Sequence, residues 1–179
     1  MGRPRVIDRE RLIDLAEEIV SSSGASALSF GTLAATAKLP KASVQSVFGT
    51  REALIDAMLE RWLQAETARY QTIAGDTPTP QRRAQAHIET LGTESEESVR
   101  RVASLMTALA GSDAQSETVT EWYGSRSNEL EAFDDEERRL RIAFLAAEGA
   151  FFIRHIVRYE MSNALWDQIF DDLRSFVKS

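Results

Sequence analysis

Apolar residues recur along most of this chain at intervals of three and four positions. In residues 8–23 they fall at Leu12, Leu15, Ala16, Ile19 and Val20, which is the spacing of an amphipathic α-helix rather than the alternation of a strand. The segment begins with an aspartate at position 8 and ends at a glycine at position 24, residue types that favour the two ends of a helix. The pattern predicts a first helix of about 15 residues.

Two shorter helices are expected next, separated by a sharp turn. Ser29 can cap the second helix, whose compact apolar patch includes Phe30 and Leu33. Pro40 fits the first turn of the third helix, where its missing N–H costs nothing, and it biases the preceding residue away from helical geometry. Val44 and Phe48 give the third helix an apolar face.

The remainder of the sequence is also helical in period. Thr50 can cap a long fourth helix, which runs to the breaker sequence "AGDTPTP" at residues 74–80. Further helices are predicted at about 81–92, 95–110, 114–131, 135–159 and 163–177. The expected fold is therefore all-α, with about nine helices.

Composition excludes several kinds of chemistry. The 179 residues include no cysteine and two histidines, so thiolate catalysis and cysteine-based metal sites are absent and histidine metal sites are unfavoured. Neither a glycine-rich phosphate loop nor a motif-set pair of carboxylates is present, and we expect neither an enzyme nor a cofactor. No signal peptide or apolar run of membrane-spanning length is found, which predicts a soluble cytoplasmic protein with no membrane partner.

Charge is distributed unevenly within a net charge of -7. Residues 1–51 carry seven basic and five acidic side chains, whereas the remaining residues carry 14 basic and 23 acidic ones. A basic head on an acidic body is typical of a phosphate-binding module joined to a domain with another partner. Chance distribution of surface charge remains the alternative.

The second and third helices form a candidate helix-turn-helix. The outer face of the third helix carries small polar side chains, namely Ser43, Gln45 and Ser46, with Lys41 at its start. Such a face fits the major groove of DNA, where glutamine can pair with adenine and serine or lysine can reach phosphates or base edges. The alternative is an ordinary solvated helix face.

The segment "LAATAKLPKASVQSVFGTREAL" resembles the helix-turn-helix signature of the TetR family of bacterial transcriptional regulators. The preceding "RERLIDLAEEIVSSSGASALSFGTLA" is similar to the family's first helix and the glycine after it. Three positions depart from the family pattern: Lys38 replaces a glycine of the turn, Pro40 replaces a serine or threonine cap, and Gln45 replaces a phosphate-contacting tyrosine.

The resemblance implies a DNA-binding domain over residues 1–50 and a ligand-binding and dimerisation domain over residues 51–179. It assigns DNA contacts to the polar face of the third helix. Thr32 and Arg51 would hold phosphates, while Arg3 and Arg5 would lie along the backbone or in the minor groove. A flexible tail without contacts is the alternative for these two arginines.

The resemblance further implies a homodimer through the last two helices and a small-molecule pocket among the middle ones. The stretch "LRIAFLAAEGAFFIRHIV" at residues 140–157 is apolar on more than one stripe, which independently indicates a second covered face. Candidate pocket residues are aromatic or flexible apolar side chains expected to point inward, together with one acid: Met58, Trp62, Leu105, Met106, Leu109, Trp122, Tyr123, Glu148, Phe151 and Phe152.

Three polar residues of this second domain have less certain roles. Glu148 stands among apolar positions, and an unpaired carboxylate there would be costly. We expect it to pair with an arginine, to cap a helix or to face a cationic ligand. His87 and His155 are interpreted as surface or interface residues, with a hydrogen bond to a ligand as the alternative for either.

The sequence and this resemblance together predict a ligand-responsive DNA-binding transcriptional regulator, and the resemblance implies that it is a repressor. A double-stranded DNA operator and a small hydrophobic ligand are its expected partners, and the ligand would release the homodimer from the operator. The alternatives are a helical dimer with a weak or non-specific DNA-binding head and, least favoured, a small-molecule-transforming enzyme.

Overall fold

The structure of the protein is a computed structural model that describes residues 7–110, 116–126 and 134–178. Within these ranges the chain is helical and contains no strand. The α-helices are α1 Arg9–Ser23, α2 Phe30–Ala37, α3 Lys41–Phe48, α4 Arg51–Ala74, α5 Pro80–Gly92, α6 Glu96–Ala110, α7 Glu117–Arg126, α8 Asp135–Phe151 and α9 Asn163–Phe176. The prediction of an all-α fold with about nine helices is confirmed.

Local sequence signals account for the helix starts. The Asp8 carboxylate accepts the backbone N–H of Arg11 at the start of α1, and Thr50 accepts the N–H of Ala53 at the start of α4. Pro40 occupies the position just before α3 rather than its first turn. The first N–H groups of a helix have no partner within the helix. Asp8 and Thr50 each accept one of them, and Pro40 has no N–H that would need a partner.

The described residues divide into two compact units. The first combines the described parts of residues 1–61 and 101–118, and the second those of 62–100 and 119–179. Helices α4, α6 and α7 therefore supply residues to both units. The predicted boundary at residue 50 stays a prediction.

The first unit is built on an apolar core from α1 to α4. Leu12, Ile13, Leu33, Val44 and Leu54 are each almost completely buried, so the three N-terminal helices share one hydrophobic interior. Ser104 of α6 belongs to the same unit and accepts the backbone N–H of Ala25 at 3.1 Å. Ala25 begins a 3₁₀ turn, Ala25–Ala27, that leads into α2.

The second unit contains most of α5, α7, α8 and α9. Helix α5 packs closely on α9, where Trp166 donates its indole N–H to the Gly92 carbonyl at 3.2 Å. The predicted helix 135–159 is shorter than expected: α8 ends at Phe151 and continues as a π-helical turn, Phe152–Ile156. The predicted ends of the 114–131 helix lie partly outside the described residues, which place α7 at Glu117–Arg126.

No described helix combines the length and apolarity that a membrane span requires.

Candidate functional site

Helix α3 displays a polar face in the first unit. Val44 and Phe48 are buried on its inner side, whereas Lys41, Gln45 and Ser46 are exposed and Ser43 is half-buried. The exposed face can present an ammonium, an amide and a hydroxyl group to a groove. Ser46 also donates its hydroxyl to the Ser43 carbonyl at 2.8 Å, so its oxygen remains available as an acceptor.

The turn before α3 has a defined geometry. Lys38 adopts the left-handed conformation with φ 54° and ψ 45°. The Leu39 N–H donates to the Ala34 carbonyl at 3.0 Å and the Lys38 N–H to the Ala35 carbonyl at 3.2 Å. This pair of bonds is a Schellman motif, which closes the end of α2 and fixes where α3 begins.

The two expected phosphate-binding side chains make internal contacts. Thr32 forms a capping box with Ser29 at the start of α2. Arg51 donates from Nη2 to the Ala25 carbonyl at 2.7 Å and from Nε to the Leu28 carbonyl at 2.8 Å. These bonds give both residues a structural role, and their phosphate contacts stay a prediction, as do those of Arg3 and Arg5, which lie outside the described residues.

The second unit contains an unusual buried polar cluster. Within the described part of the chain, all buried polar or charged side chains gather here: Glu66 of α4, His87 and Thr90 of α5, and Arg126 of α7. Burial of an ion pair is weakly stabilising at best compared with an apolar core. Such a concentration of polar groups in one place is typical of a functional site.

Glu66 is the centre of this cluster. Its Oε2 atom accepts from Arg126 Nη2 at 2.8 Å and from Trp122 Nε1 at 3.1 Å. Its Oε1 atom lies 3.1 Å from the Thr90 hydroxyl. The buried carboxylate is therefore neutralised by one cation and further held by two uncharged donors.

Arg126 is enclosed by aromatic rings. Its Cζ atom lies 3.9 Å from the centre of the Tyr70 ring and 4.4 Å from that of Trp122. A guanidinium between two aromatic faces gains cation–π attraction in addition to its ion pair. The planar guanidinium of Arg126 is thus held by aromatic rings and by the Glu66 carboxylate.

His87 and Glu148 lie beside this ion pair. The His87 ring, 2% exposed as a residue, stacks on Phe144 with 4.2 Å between ring centres. Its Nε2 atom lies 3.1 Å from Glu148 Oε1 but without the alignment of a hydrogen bond. The interpretation of His87 as a surface or interface residue is wrong, because the side chain belongs to the core.

The other oxygen of Glu148 is bound by Tyr123, which donates its hydroxyl at 2.6 Å. Burial acts to raise the pKa of Glu148, but its interactions with His87 and Tyr123 and the charge of Arg126 outweigh burial and lower that pKa below 4.5. Partial burial of the Tyr123 phenol, together with the adjacent Glu148 charge, raises the pKa of this group. At neutral pH the pair is therefore a carboxylate and a protonated phenol.

The other predicted pocket residues are divided between the two units. Met58, Leu105, Met106 and Leu109 belong to the first. In the second unit Trp62 donates its indole N–H to Ser98 at 2.8 Å, and Phe151 is buried. The expectation that Phe152 points inward is wrong, since the residue is 54% exposed.

A second surface of this unit is apolar and exposed. Apart from Tyr123, the large apolar residues exposed in the described ranges lie on α8, the segment after it and α9: Ile142, Leu145, Phe152, Ile153, Val157, Tyr159, Leu165 and Phe176. Ile142 and Leu145 recur at helical spacing on α8, as do Leu165 and Phe176 on α9, and we name the whole set the α8–α9 face. Exposed apolar side chains concentrated on a few elements are a common feature of protein-association sites.

Comparisons with known proteins agree with this architecture. Residues 81–178 match the model of the tetracyclin repressor-like C-terminal domain. A search of curated proteins finds no match.

Three solved structures illustrate the similarity in fold. The multidrug binding protein EbrR complexed with imidazole is 22% identical with a TM-score of 0.65, over 94% of this chain and 95% of that one. A transcriptional regulator from Rhodococcus sp. Rha1 is 18% identical with a TM-score of 0.66, over 96% of each chain. A variant of TetR from Acinetobacter baumannii AYE in complex with minocycline is 15% identical with a TM-score of 0.63, over 97% of this chain and 96% of that one.

Proposed function

Since this chain belongs to the TetR family of transcriptional regulators, we propose that it is a dimeric repressor whose DNA affinity is controlled by a small molecule bound in its C-terminal domain. The observation that carries the DNA-binding part is the exposed polar face of α3, which the buried Val44 and Phe48 hold outward. Lys41, Gln45 and Ser46 are the groups that would read or grip the duplex.

A dimer would place a second copy of α3 on the DNA. The α8–α9 face is the surface that a second copy of this chain would cover, because it is apolar and exposed on the two final helices. A two-fold dimer presents two copies of α3 to successive major grooves, so the operator would be a palindrome with half-sites about one helical turn, roughly 34 Å, apart.

The polar cluster of the second unit supports ligand control. A ligand shifts a regulator between states only through unequal affinity for them, and buried charged groups are well suited to this because their energies depend strongly on their surroundings. EbrR, a similar fold, is described as a multidrug binding protein and has been solved with ethidium. By analogy, a small molecule bound near Glu66 and Glu148 would release the operator.

Selection of random DNA duplexes by the full-length protein tests the DNA-binding part. We expect enrichment of one palindromic sequence, and Lys41→Ala should weaken binding to it and reduce the slope of log affinity against log salt by about one. Gln45→Ala should cost about 1–3 kcal/mol of discrimination at one base pair. Gln71→Ala, which removes an exposed glutamine of α4 in the second unit, is the matched control and should leave binding unchanged.

Failure to enrich any sequence at any salt concentration would contradict the proposal. A Gln45→Ala variant that retains full affinity and sequence preference would contradict the assignment of the reading surface.

Sedimentation measurements test whether the protein is a dimer in solution. Leu145→Glu places a charge on the exposed α8–α9 face, where it costs nothing in a monomer but must be desolvated in a dimer. We expect this variant to be a folded monomer with greatly weakened DNA binding, whereas Leu145→Met should remain dimeric. A dimeric Leu145→Glu variant would show that another surface mediates association.

A further inference from the structure

The outer face of α3 carries one apolar group. Among the residues of α3, all of which the structure describes, Ala42 is the one exposed apolar residue. At 3.6 residues per turn it lies about 160° around the helix axis from Val44, which is completely buried. The Ala42 side chain therefore lies on the side of α3 that is turned away from the core of the first unit.

Ala42 and Ser46 form the middle of this outer face. Ser46 follows Ala42 by four positions, so the two side chains are neighbours on successive turns of the helix. Gln45 lies about 60° to one side of Ala42, and all three residues are exposed. The middle of the face thus consists of a methyl and a hydroxymethyl group, and the longer amide side chain flanks it.

Small side chains in the middle of the face decide how closely α3 can approach DNA. An α-helix with its side chains is about 10–12 Å across, close to the width of about 12 Å of the major groove. Because Ala42 extends no further than its Cβ atom, the helix can approach until this methyl group touches the edges of the bases. Lys41 and Gln45 are long enough to reach phosphates or bases on either side.

A methyl group selects among the base edges of the groove because it is apolar. The Ala42 side chain can neither donate nor accept a hydrogen bond, so a polar base atom pressed against it would lose water without gaining a partner. Unmodified DNA presents one apolar group in the major groove, the C5-methyl group of thymine. Contact with thymine is therefore the arrangement that leaves no polar group unpaired at this point.

We infer that Ala42 is a specificity-determining residue and that its methyl group contacts the C5-methyl group of one thymine in each operator half-site. This inference rests on the proposed function, because it specifies which chemical group of the operator α3 recognises. Contact between the two methyl groups removes apolar surface from water and so favours thymine over the other bases at that position. Lys41 and Gln45 keep the roles proposed for them above.

Replacement of thymine by uracil in the operator measures this contact directly. The exchange deletes the C5-methyl group and leaves base pairing unchanged. Each thymine of the operator selected from random duplexes is replaced in turn, in both half-sites, and binding of the full-length protein is followed by fluorescence anisotropy. At one thymine we expect the affinity to fall about 4-fold for each half-site, which corresponds to the transfer of one methyl group to water. An operator in which no thymine methyl group contributes to affinity would overturn the inference.

Variants assign the effect to Ala42. Ala42→Gly removes the methyl group of the protein, so this variant should no longer distinguish uracil from thymine at that position. Ala65→Gly makes the same substitution at an exposed position of α4 and should keep the full response. Undiminished sensitivity at every thymine in a folded Ala42→Gly protein would overturn the assignment.

Ala42→Ser is a second variant for the case that glycine prevents folding. Serine has a higher helix propensity than glycine and places a hydroxyl group against the thymine methyl group, so this variant should also lose the preference for thymine over uracil. A serine variant that keeps this preference would contradict the role of Ala42.

Failure of the proposed function is seen separately. If no palindrome is enriched from random duplexes, the proposed function fails and the role of Ala42 fails with it. Sequence-specific binding that does not depend on any thymine methyl group contradicts only the role of Ala42.

Discussion

The guanidinium of Arg51 donates to the backbone carbonyl of Leu28 at 2.8 Å. A second bond from the same group, to the Ala25 carbonyl, holds the other end of the 3₁₀ turn before α2. Arg51 stands at the first position of α4, so it fastens the start of that helix to the segment that positions the helix-turn-helix. A residue expected to hold a phosphate therefore has a role inside the fold.

We expect Arg51→Ala to destabilise the protein by about 2 kcal/mol, because two partly buried carbonyls lose a charged donor. Urea denaturation measures this change. Arg100→Ala, which removes an exposed arginine of α6, should have little effect on stability. If Arg51→Ala keeps full stability and loses only DNA affinity, phosphate binding is the principal role of the side chain.

Lys38 supplies a second stability prediction. Its left-handed backbone is unfavourable for a residue with a Cβ atom by about 1 kcal/mol, and glycine adopts it freely. We therefore expect Lys38→Gly to raise the free energy of unfolding by about that amount. Lys38→Ala removes the same charge without relieving the backbone strain, so we expect no increase in its free energy of unfolding.

Thermal unfolding of the two Lys38 variants, measured side by side, checks this expectation. Equal melting temperatures would show that the turn relaxes at little cost. The DNA affinities of the same pair measure any contact made by the lysine ammonium, because both variants lack it.

Close packing between α5 and α9 leads to a third prediction. A Cβ atom added at Gly92 would stand 2.6 Å from Cδ1 of Phe170, whose side chain is buried. The ring would have to move, and we expect Gly92→Ala to cost about 1–3 kcal/mol. Gly124→Ala in α7 is the matched control, since nothing lies near its added Cβ, and it should stabilise by up to about 1 kcal/mol.

Calorimetric melting distinguishes the two glycine variants. A Gly92→Ala protein as stable as the wild type would mean that Phe170 has an alternative position of similar energy.

Helix starts and the polar face of α3 could be predicted from sequence because each depends on neighbouring residues. The caps at Asp8 and Ser29 are local hydrogen bonds, and the burial of Val44 follows directly from helical spacing. Lys38, whose backbone is left-handed, stands where the family resemblance places a glycine.

The polar cluster could not be predicted from neighbouring residues in this way. Its bonds join residues 24 to 60 positions apart, and no local pattern specifies which charged side chains meet. One signal was present: Glu66 continues the apolar series of Leu59 and Leu63 at helical spacing, where a carboxylate needs a partner. His87 similarly follows Ala84 on the buried side of α5.

Phe152 was misplaced for a different reason. Extending a 3.6-residue period through 135–159 assumes one regular helix, but the Val157 N–H donates to the Phe152 carbonyl at 3.0 Å, five residues back. This π-helical turn alters the side-chain directions of the residues after Phe152. Phe152 itself keeps α-helical dihedral angles and lies about 100° around the helix axis from the buried Phe151, so it falls outside the buried stripe and is exposed.

His155 lies in this π-helical turn and supplies the last prediction. Burial, assisted by the charge of Arg154 and opposed by that of Glu96, lowers the pKa of His155 from 6.5 to about 4. Its ring packs between Phe151 and Trp166. The folded protein therefore holds this imidazole uncharged at pH values where the unfolded chain protonates it.

The sign of the effect on stability follows from proton linkage. Between about pH 6.5 and pH 4 the unfolded state binds more protons at His155 than the folded state does, so stability falls as the pH is lowered through this window. Below about pH 4 both states are protonated and this contribution no longer changes. His155→Phe keeps an aromatic ring and removes the titration, so its unfolding free energy should decline less steeply between pH 6.5 and 4 than that of the wild type. NMR titration of the two imidazoles, assigned with this variant, gives the pKa directly, and a His155 value near 6.5 would contradict the expectation.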